Sequence, residues 1–305
     1  DHLHAVIESD EVPAIKVGPQ CEYPYECPFF AHCTADRPAD WIKYLPGFGL
    51  KKTSDFEAEG IVGISDFVGG EKLNSLQERA VESSDSGLAW VSGELHNALK
   101  EIGYPVQFID FETASPVIPM YPSTSPRELV PFQWSCHTLH ADGRIEHSEY
   151  LGSGETDLRQ EFVESLLRAV AGRGPVLVYS SYEQSTLHKM AEKFPGLATG
   201  IDDLVSRFVD LLKLVKDNYY HPGFKGSFSI KGVLPVMVRG YGYSDLAIGE
   251  GESASATFVD IVEGRVDEYE LADVQSDLLE YCKRDTEAML KIWQRLEAIA
   301  RGGSE

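Results

Sequence analysis

Apolar positions recur in two rhythms along this chain, and one gives way to the other near residue 104. Over residues 40–103 they fall at helical spacing, with Leu73, Leu76 and Ala80 in one run and Leu95, Leu99 and Ile102 in another. This stretch predicts short helices, the last two separated by a Ser- and Gly-containing segment at 83–87. After Tyr104-Pro105 apolar strands alternate with amphipathic helices. Strands are predicted at 106–111, around 130–139 and at 145–150, and Asp142-Gly143 between the last two is a hairpin signal. A helix over 156–171, a short apolar strand over 175–179 and a helix starting near Glu183 follow. A long helix over 271–299, with Leu278, Leu279, Cys282, Ala288 and Ile292 among its apolar positions, ends the pattern. Three strands in hairpin order and then an α/β crossover predict a mixed sheet with helices packed on it.

The first residues follow neither rhythm. Residues 1–39 are Cys-rich, and Tyr23, Pro24, Tyr25, Pro28 and Phe29 predict a compact loop. The expected organisation is therefore a Cys-rich segment at 1–39, a small helical region at 40–103 and an α/β domain at 104–300, with no internal repeat. A chain of 305 residues suits one domain of about 200 residues plus smaller pieces. The opening at Asp1 reads as the middle of a strand-loop segment, so a longer parent protein is expected upstream. No apolar run approaches the ~18 to 20 residues that cross a bilayer, and no leader pattern is present, so a cytoplasmic location without a membrane partner is expected.

Charge and cysteines narrow the chemistry. The 49 acids against 27 bases give a formal charge of -22, which argues against broad electrostatic attraction to nucleic acid. Phosphate would approach slowly unless metals or local bases intervene; a solubilising acidic surface accounts for most of the charge, and halophilic adaptation is a further reading. Cys21, Cys27 and Cys33 cluster while Cys136 and Cys282 stand alone, which is not a disulfide framework. Clustered thiols in a cytosolic setting more often bind metal.

Two carboxylate motifs carry the candidate chemistry. In Phe108-Ile109-Asp110-Phe111-Glu112-Thr113, Asp110 and Glu112 are two apart on a strand and share a face, while Ile109 and Phe111 point into the core. Carboxylates that close repel unless a cation sits between them or one takes a proton, and a hard divalent ion suits oxygen ligands. Acidic residues at strand ends are also common for structural reasons, so the pair alone leaves both readings open. In Tyr281-Cys282-Lys283-Arg284-Asp285 the spacing of four puts the phenol and the carboxylate on one side of a helix, able to address one water. Taken alone, this motif equally suits a packed tyrosine and a solvated acid.

Together these residues resemble the DEDD superfamily of 3′-5′ exonucleases, with Asp110 and Glu112 as the first motif and Tyr281 to Asp285 as the third, tyrosine-type motif. Val176-Leu177-Val178-Tyr179-Ser180-Ser181-Tyr182-Glu183 is similar to the second motif, with Glu183 where the family has Asp. Val209-Asp210-Leu211-Leu212 and Phe228-Ser229-Ile230-Lys231-Gly232-Val233-Leu234 look like the stretch between motifs two and three, with Asp210 more in keeping with a structural role. Pro131-Phe132-Gln133-Trp134 and Tyr220-His221-Pro222 bring the chain closer to an uncharacterised bacterial family in which such a domain follows a Cys-rich, RecB-like nuclease region.

The resemblance spans residues 106–296 and implies a ribonuclease H-like fold and a metal-dependent nuclease acting on single-stranded DNA or RNA from a 3′ end. It implies two Mg²⁺ or Mn²⁺ ions held by Asp110, Glu112, Glu183 and Asp285, one activating a water and the other stabilising the leaving oxygen, with Tyr281 orienting the water. Phe111, Tyr182, Lys225 and Lys231 are candidate nucleic-acid contacts. Tyr219, Tyr220, Phe224 and Phe228 offer further rings for base stacking, although core positions explain most of them, and Lys213 and Lys216 extend a locally basic stretch that solvated helix faces explain nearly as well. A degenerate module that binds nucleic acid or a partner protein without cleaving is the alternative, favoured by Glu183 and by the acidic charge. Cys21, Cys27 and Cys33, with His32 alongside, offer ligands for zinc or an iron-sulfur cluster, shared with an upstream nuclease domain of the parent protein. A third reading makes that segment a metal-binding linker and puts all chemistry upstream. Tyr44-Leu45-Pro46-Gly47-Phe48-Gly49-Leu50-Lys51-Lys52 resembles the hairpin of a helix-hairpin-helix module, in which backbone N–H groups approach a phosphate, and suits a plain structural turn equally well.

Overall fold

Val106–Ala114 (β1) is the strand around which the second part of the chain is organised. A computed structural model of the protein describes residues 2–11, 13–67, 73–122, 124–172 and 174–303, except for the side chains of His2 and Leu3. The chain folds as two units, Asp1–Trp90 with Tyr220–Ser227, and Val91–Tyr219 with Phe228–Glu305.

The second unit is mixed α/β. Its sheet has five strands in the order β3-β2-β1-β4-β5, where β2 is Val130–Leu139, β3 Ile145–Leu151, β4 Val176–Val178 and β5 Phe208–Asp210. The first three strands are antiparallel, and β4 and β5 join in parallel. The β2–β3 hairpin turns at Asp142-Gly143 as expected, with Gly143 at φ 86° and its N–H bonded to His140 O at 2.9 Å.

Alternation along β1 and β2 sorts their side chains between the two faces of the sheet. On one face Ile109, Phe111, Phe132, Trp134 and Cys136 enter a core closed by α4 (Arg159–Ala169), α5 (Tyr182–Lys193), α6 (Ala198–Val205) and α9 (Gly251–Val262). Phe111 meets Phe162 edge to face at 5.1 Å, and Phe132 stacks on Phe258 at 4.1 Å. Each such burial contributes about 1.5–3 kcal/mol. On the other face lie Phe108, Asp110, Glu112, Gln133, Ser135 and His137, covered by α10 (Leu271–Ala300). Trp293 packs on Phe108, Gln133 Nε2 donates to Leu278 O at 2.7 Å, and Thr286 Oγ1 shares hydrogen bonds with Ser135 Oγ and His137 Nδ1 at 2.8 Å each. The sheet is thus apolar on one side and strongly polar beneath α10.

The first unit is built from short pieces. Trp41 is buried and its Nε1 donates to Glu57 Oε1 at 2.7 Å on α1 (Leu50–Ala58). α2 (Ser75–Ser86) starts where Asn74 Oδ1 accepts from Leu76 N and Gln77 N, and ends at Gly87 in the left-handed region.

Several boundaries differ from the sequence pattern. The opening residues form a helix, His2–Ile7, where a strand-loop segment was expected. Helix α3 (Leu95–Lys100), expected with the helical region, belongs to the second unit. The three-residue strand β5 was not anticipated at all. No described helix is long and apolar enough to cross a membrane.

Candidate metal centre

The polar face of the sheet gathers the acidic residues. Asp110 and Glu112 project from β1, opposite Ser135 and Gln133 of β2. Glu183 stands in the first turn of α5, where its carboxylate also suits the positive end of the helix dipole. The chain reaches α5 from β4 through Ser180, whose φ of 130° is rare for an L-residue and costs about 1–3 kcal/mol, a local strain of the kind concentrated at functional sites. Asp285 comes from the middle of α10, one turn beyond Tyr281.

These four carboxylates lie within electrostatic reach of one another. Asp110 and Glu183 share a side-chain hydrogen bond, and Asp285 lies within electrostatic reach of Asp110, Glu112 and Glu183. Glu112, Glu183 and Asp285 are all buried. Glu183 Oε2 is buried without a hydrogen-bond partner among the described residues. Ligand atoms of Asp110, Glu112 and Cys282 lie within 4.8 Å of one another.

Burial and mutual repulsion raise the proton affinity of every member. Asp110 is held well above the usual carboxylate range by burial and by the charges of Asp285, Glu112 and Glu183. Glu112 is pushed up to about 8 by burial and Asp285, against the opposing charge of Lys231. Burial also raises Glu183. Asp285 rises only to about 6, because hydrogen bonds from Tyr243 and Tyr281 and the charge of Lys231 offset its burial. Asp110 and Glu112, raised furthest, hold protons at neutral pH unless a cation replaces them. The four carboxylates offer oxygen donors, and one of their oxygens has no partner among the described residues, so they fit a hard divalent ion such as Mg²⁺ or Mn²⁺. Cys282 stays a neutral thiol, raised by burial and the neighbouring carboxylates, with Sγ 3.9 Å from Asp110 Oδ2.

The phenols beside the acids are neutral as well. Burial and Asp285 push Tyr281 and Tyr243 upward, so both remain donors across the working pH range. Tyr281 is buried on α10, one turn before Asp285. Tyr243 was not singled out from the sequence, although its hydroxyl donates to Asp285 Oδ1 at 2.5 Å.

The remaining candidates separate. Lys231 reaches the site, its Nζ lying 5.6 Å from the centre of the Tyr281 ring. Tyr182 is 44 % exposed, and its hydroxyl bonds Thr113 Oγ1 at 2.5 Å. Phe111 is corrected: it is buried in the apolar core against Phe162, on the sheet face opposite Asp110, and so is not a nucleic-acid contact. Lys225 belongs to the first unit, over the Tyr44 ring. Tyr219, Tyr220, Phe224 and Phe228 are buried, and Lys213 pairs with Asp217. Asp210 caps α7 (Leu211–Asn218) by accepting from Lys213 N at 2.9 Å, a structural role.

Cys21, Cys27 and Cys33 in the first unit, like Glu183 and Asp285 in the second, lie outside the group of ligand atoms within 4.8 Å of one another among the described residues. In the hairpin-like turn, Leu50 N at the start of α1 donates to Glu22 Oε2 at 3.1 Å, and Glu22 Oε1 pairs with Lys43 at 2.9 Å. A carboxylate of the chain itself thus holds the N–H considered for phosphate.

Residues 107–229 match the model of a family described as a domain of unknown function, DUF2779. The matched segment contains Asp110, Glu112 and Glu183, while Tyr281 and Asp285 lie beyond it. No curated protein and no solved structure matches the chain.

Proposed function

We propose that this chain carries a ribonuclease H-like nuclease domain of the DEDD type, which hydrolyses phosphodiester bonds of single-stranded DNA or RNA from the 3′ end. The observation that carries this reading is the convergence of half-buried Asp110 with buried Glu112, Glu183 and Asp285, from two strand positions and two helices. A fold gains no stability by crowding acids whose charges oppose one another, so the cluster points to a cation-dependent task. The order of the sheet, with an antiparallel meander followed by parallel strands, supports the fold assignment.

Two Mg²⁺ or Mn²⁺ ions held by these oxygens would supply Lewis acidity at both the attacking water and the leaving 3′ oxygen. Tyr281 keeps its proton and donates a hydrogen bond to Asp285, and its oxygen can orient that water by accepting from it. Glu183 takes the place of a family Asp, and its longer side chain still reaches Asp110, which supports a working site over a degenerate one. Lys231 brings a positive charge to an otherwise acidic setting, where it favours an approaching phosphate. Tyr182 offers an exposed ring for a terminal base, and such stacking is worth about 1–3 kcal/mol. No step is assigned to the three N-terminal cysteines.

A time course of 5′-labelled single-stranded DNA and RNA in Mn²⁺ or Mg²⁺, alongside Asp110→Ala and Asp285→Ala, tests the reading. A stepwise ladder that disappears in both variants is expected, and it also chooses the substrate. Full cleavage by Asp110→Ala overturns the proposed site. Absence of cleavage by folded wild-type protein that still binds single strands favours a binding module instead.

A further inference from the structure

Residues 238–250 join α8 (Ile230–Met237) to α9 without regular structure, and α10 holds this strap at successive points. Arg284 Nη1 donates to Gly242 O at 2.6 Å, and its two terminal nitrogens meet the two oxygens of Asp245 at 3.0 and 2.9 Å. The Tyr241 hydroxyl bonds Glu287. Between these anchors the Tyr243 hydroxyl donates to Asp285 Oδ1 at 2.5 Å. Lys231 Nζ, from α8, donates to Gly249 O at 2.5 Å and lies 5.3 Å from the Tyr243 ring centre. Tyr243 and Leu246 pack on the apolar core, and Ile248 is buried in it.

We propose that Tyr243 is a positioning residue for metal loading: its hydroxyl holds Oδ1 of Asp285 and sets the plane in which that carboxylate is presented to a divalent cation. The inference rests on the reading of the four carboxylates as metal ligands. An Asp carboxylate has a broad, nearly two-fold preference about its last torsion, so an aspartate without a fixed partner presents either oxygen in a range of planes. A short hydrogen bond from a neutral phenol to a carboxylate is charge-assisted, and it removes that freedom. The donor is itself tethered, because the guanidinium next to Asp285 in sequence bonds the strap that carries Tyr243. Tyr281 also bonds Asp285, from the same helix, and orients it from the opposite end of the motif. Removing Tyr243 therefore leaves one phenol, which places the expected loss at the lower end of the range for partners that orient metal ligands.

Calorimetric titration of the full chain with Mn²⁺, for wild type, Tyr243→Phe, Arg284→Lys and Asp110→Asn, tests the proposal with a readout independent of turnover. Tyr243→Phe is expected to bind Mn²⁺ about 10-fold more weakly with unchanged stoichiometry, and to need about 10-fold more Mn²⁺ for half-maximal cleavage while its rate at saturating Mn²⁺ stays within about 2-fold. Arg284→Lys, which slackens the strap and keeps the phenol, shifts affinity the same way by a smaller factor. Where Tyr243→Phe does not fold, Arg284→Lys carries the test by the same readout. Wild-type affinity in Tyr243→Phe, with binding lost in Asp110→Asn, overturns the positioning role and leaves the metal site standing. Mn²⁺ binding that is absent from wild type, or indifferent to Asp110→Asn, overturns the metal site and this inference with it.

Discussion

Two sets of side chains of metal-ligating type occur in this molecule, and the fold holds them differently. Asp110, Glu112, Glu183 and Asp285 are brought within electrostatic reach of one another by a nine-residue strand, a 12-residue helix and a 30-residue helix. Cys21, Cys27 and Cys33 sit at the end of a three-residue turn, in a loop and at the end of a four-residue helix, and none is buried. Cys27 N bonding Cys21 O at 2.9 Å is a backbone link, and it does not aim either thiol. Packed elements can hold mutually repelling groups together before any cation arrives, because the core on the far side of the sheet stabilises the arrangement. A loop has no such support, and ligands on loops are commonly drawn together by the metal itself.

The largest effect expected from probing this contrast comes from shortening one ligand. Glu183→Asp draws the carboxylate back by one methylene on a helix that cannot follow, and cleavage in Mn²⁺ should fall about 100-fold, as ångström-scale misplacement does. Single-turnover rates decide it, and an unchanged rate would mean that Glu183 is not held as rigidly as its packing implies.

A smaller effect lies in stability. Glu112 has an ordinary value of 4.5 when unfolded and about 8 in the folded protein. Between these values the native state binds a proton that the unfolded state has released, so this group's contribution is complete below about 4.5 and is lost as pH rises towards 8. Glu112→Gln removes that loss. In chelator at pH 8 the variant should melt above wild type, by about 2–4 °C for each kcal/mol relieved, and the gap should close at pH 5. His137, lowered to about 4 by burial and His147, titrates alike in both proteins and cancels from the comparison. Parallel melting curves across that range would show that Glu112 is not strained by its neighbours. Mn²⁺ should reverse the order of the two proteins, since only wild type keeps the full ligand set.

The smallest effect is expected from the cysteines. Replacing Cys21, Cys27 and Cys33 together with Ser should leave Mn²⁺-dependent cleavage within about 2-fold, because the packing that aims the carboxylates does not involve these thiols. Loss of cleavage in that variant would break the contrast and make the N-terminal segment part of the working machinery.

The residues that could be read from the sequence are those whose direction is set by a local period. Alternation on β1 places Asp110 and Glu112 on one face and sends Phe111 to the other, so the same rule that found the acids argued against Phe111 as a contact. The i, i+4 spacing puts Tyr281 and Asp285 on one side of α10. Tyr243 has no such signature. It stands in an irregular stretch, and its position is fixed by partners 42 residues away that no local pattern connects to it. β5 escaped notice because three residues are too few to display a period; it exists through its parallel pairing with β4, Leu177 opposite Val209 and Val178 opposite Asp210.

The buried thiol of Cys282 has a practical consequence. Alkylating reagents attack the thiolate, and burial raises Cys282 well above the ordinary thiol range and Cys136 to about 11, whereas Cys33 is exposed and Cys21 and Cys27 are half-buried. A thiol-specific probe will therefore mark the N-terminal segment first. Because the Cys282 sulfur lies 3.7 Å from Asp110 O, it reacts only during excursions in which α10 parts from β1. Its slow labelling then becomes a clock for the breathing of the carboxylate cluster, and a ligand that tightens the cluster should make that clock run late.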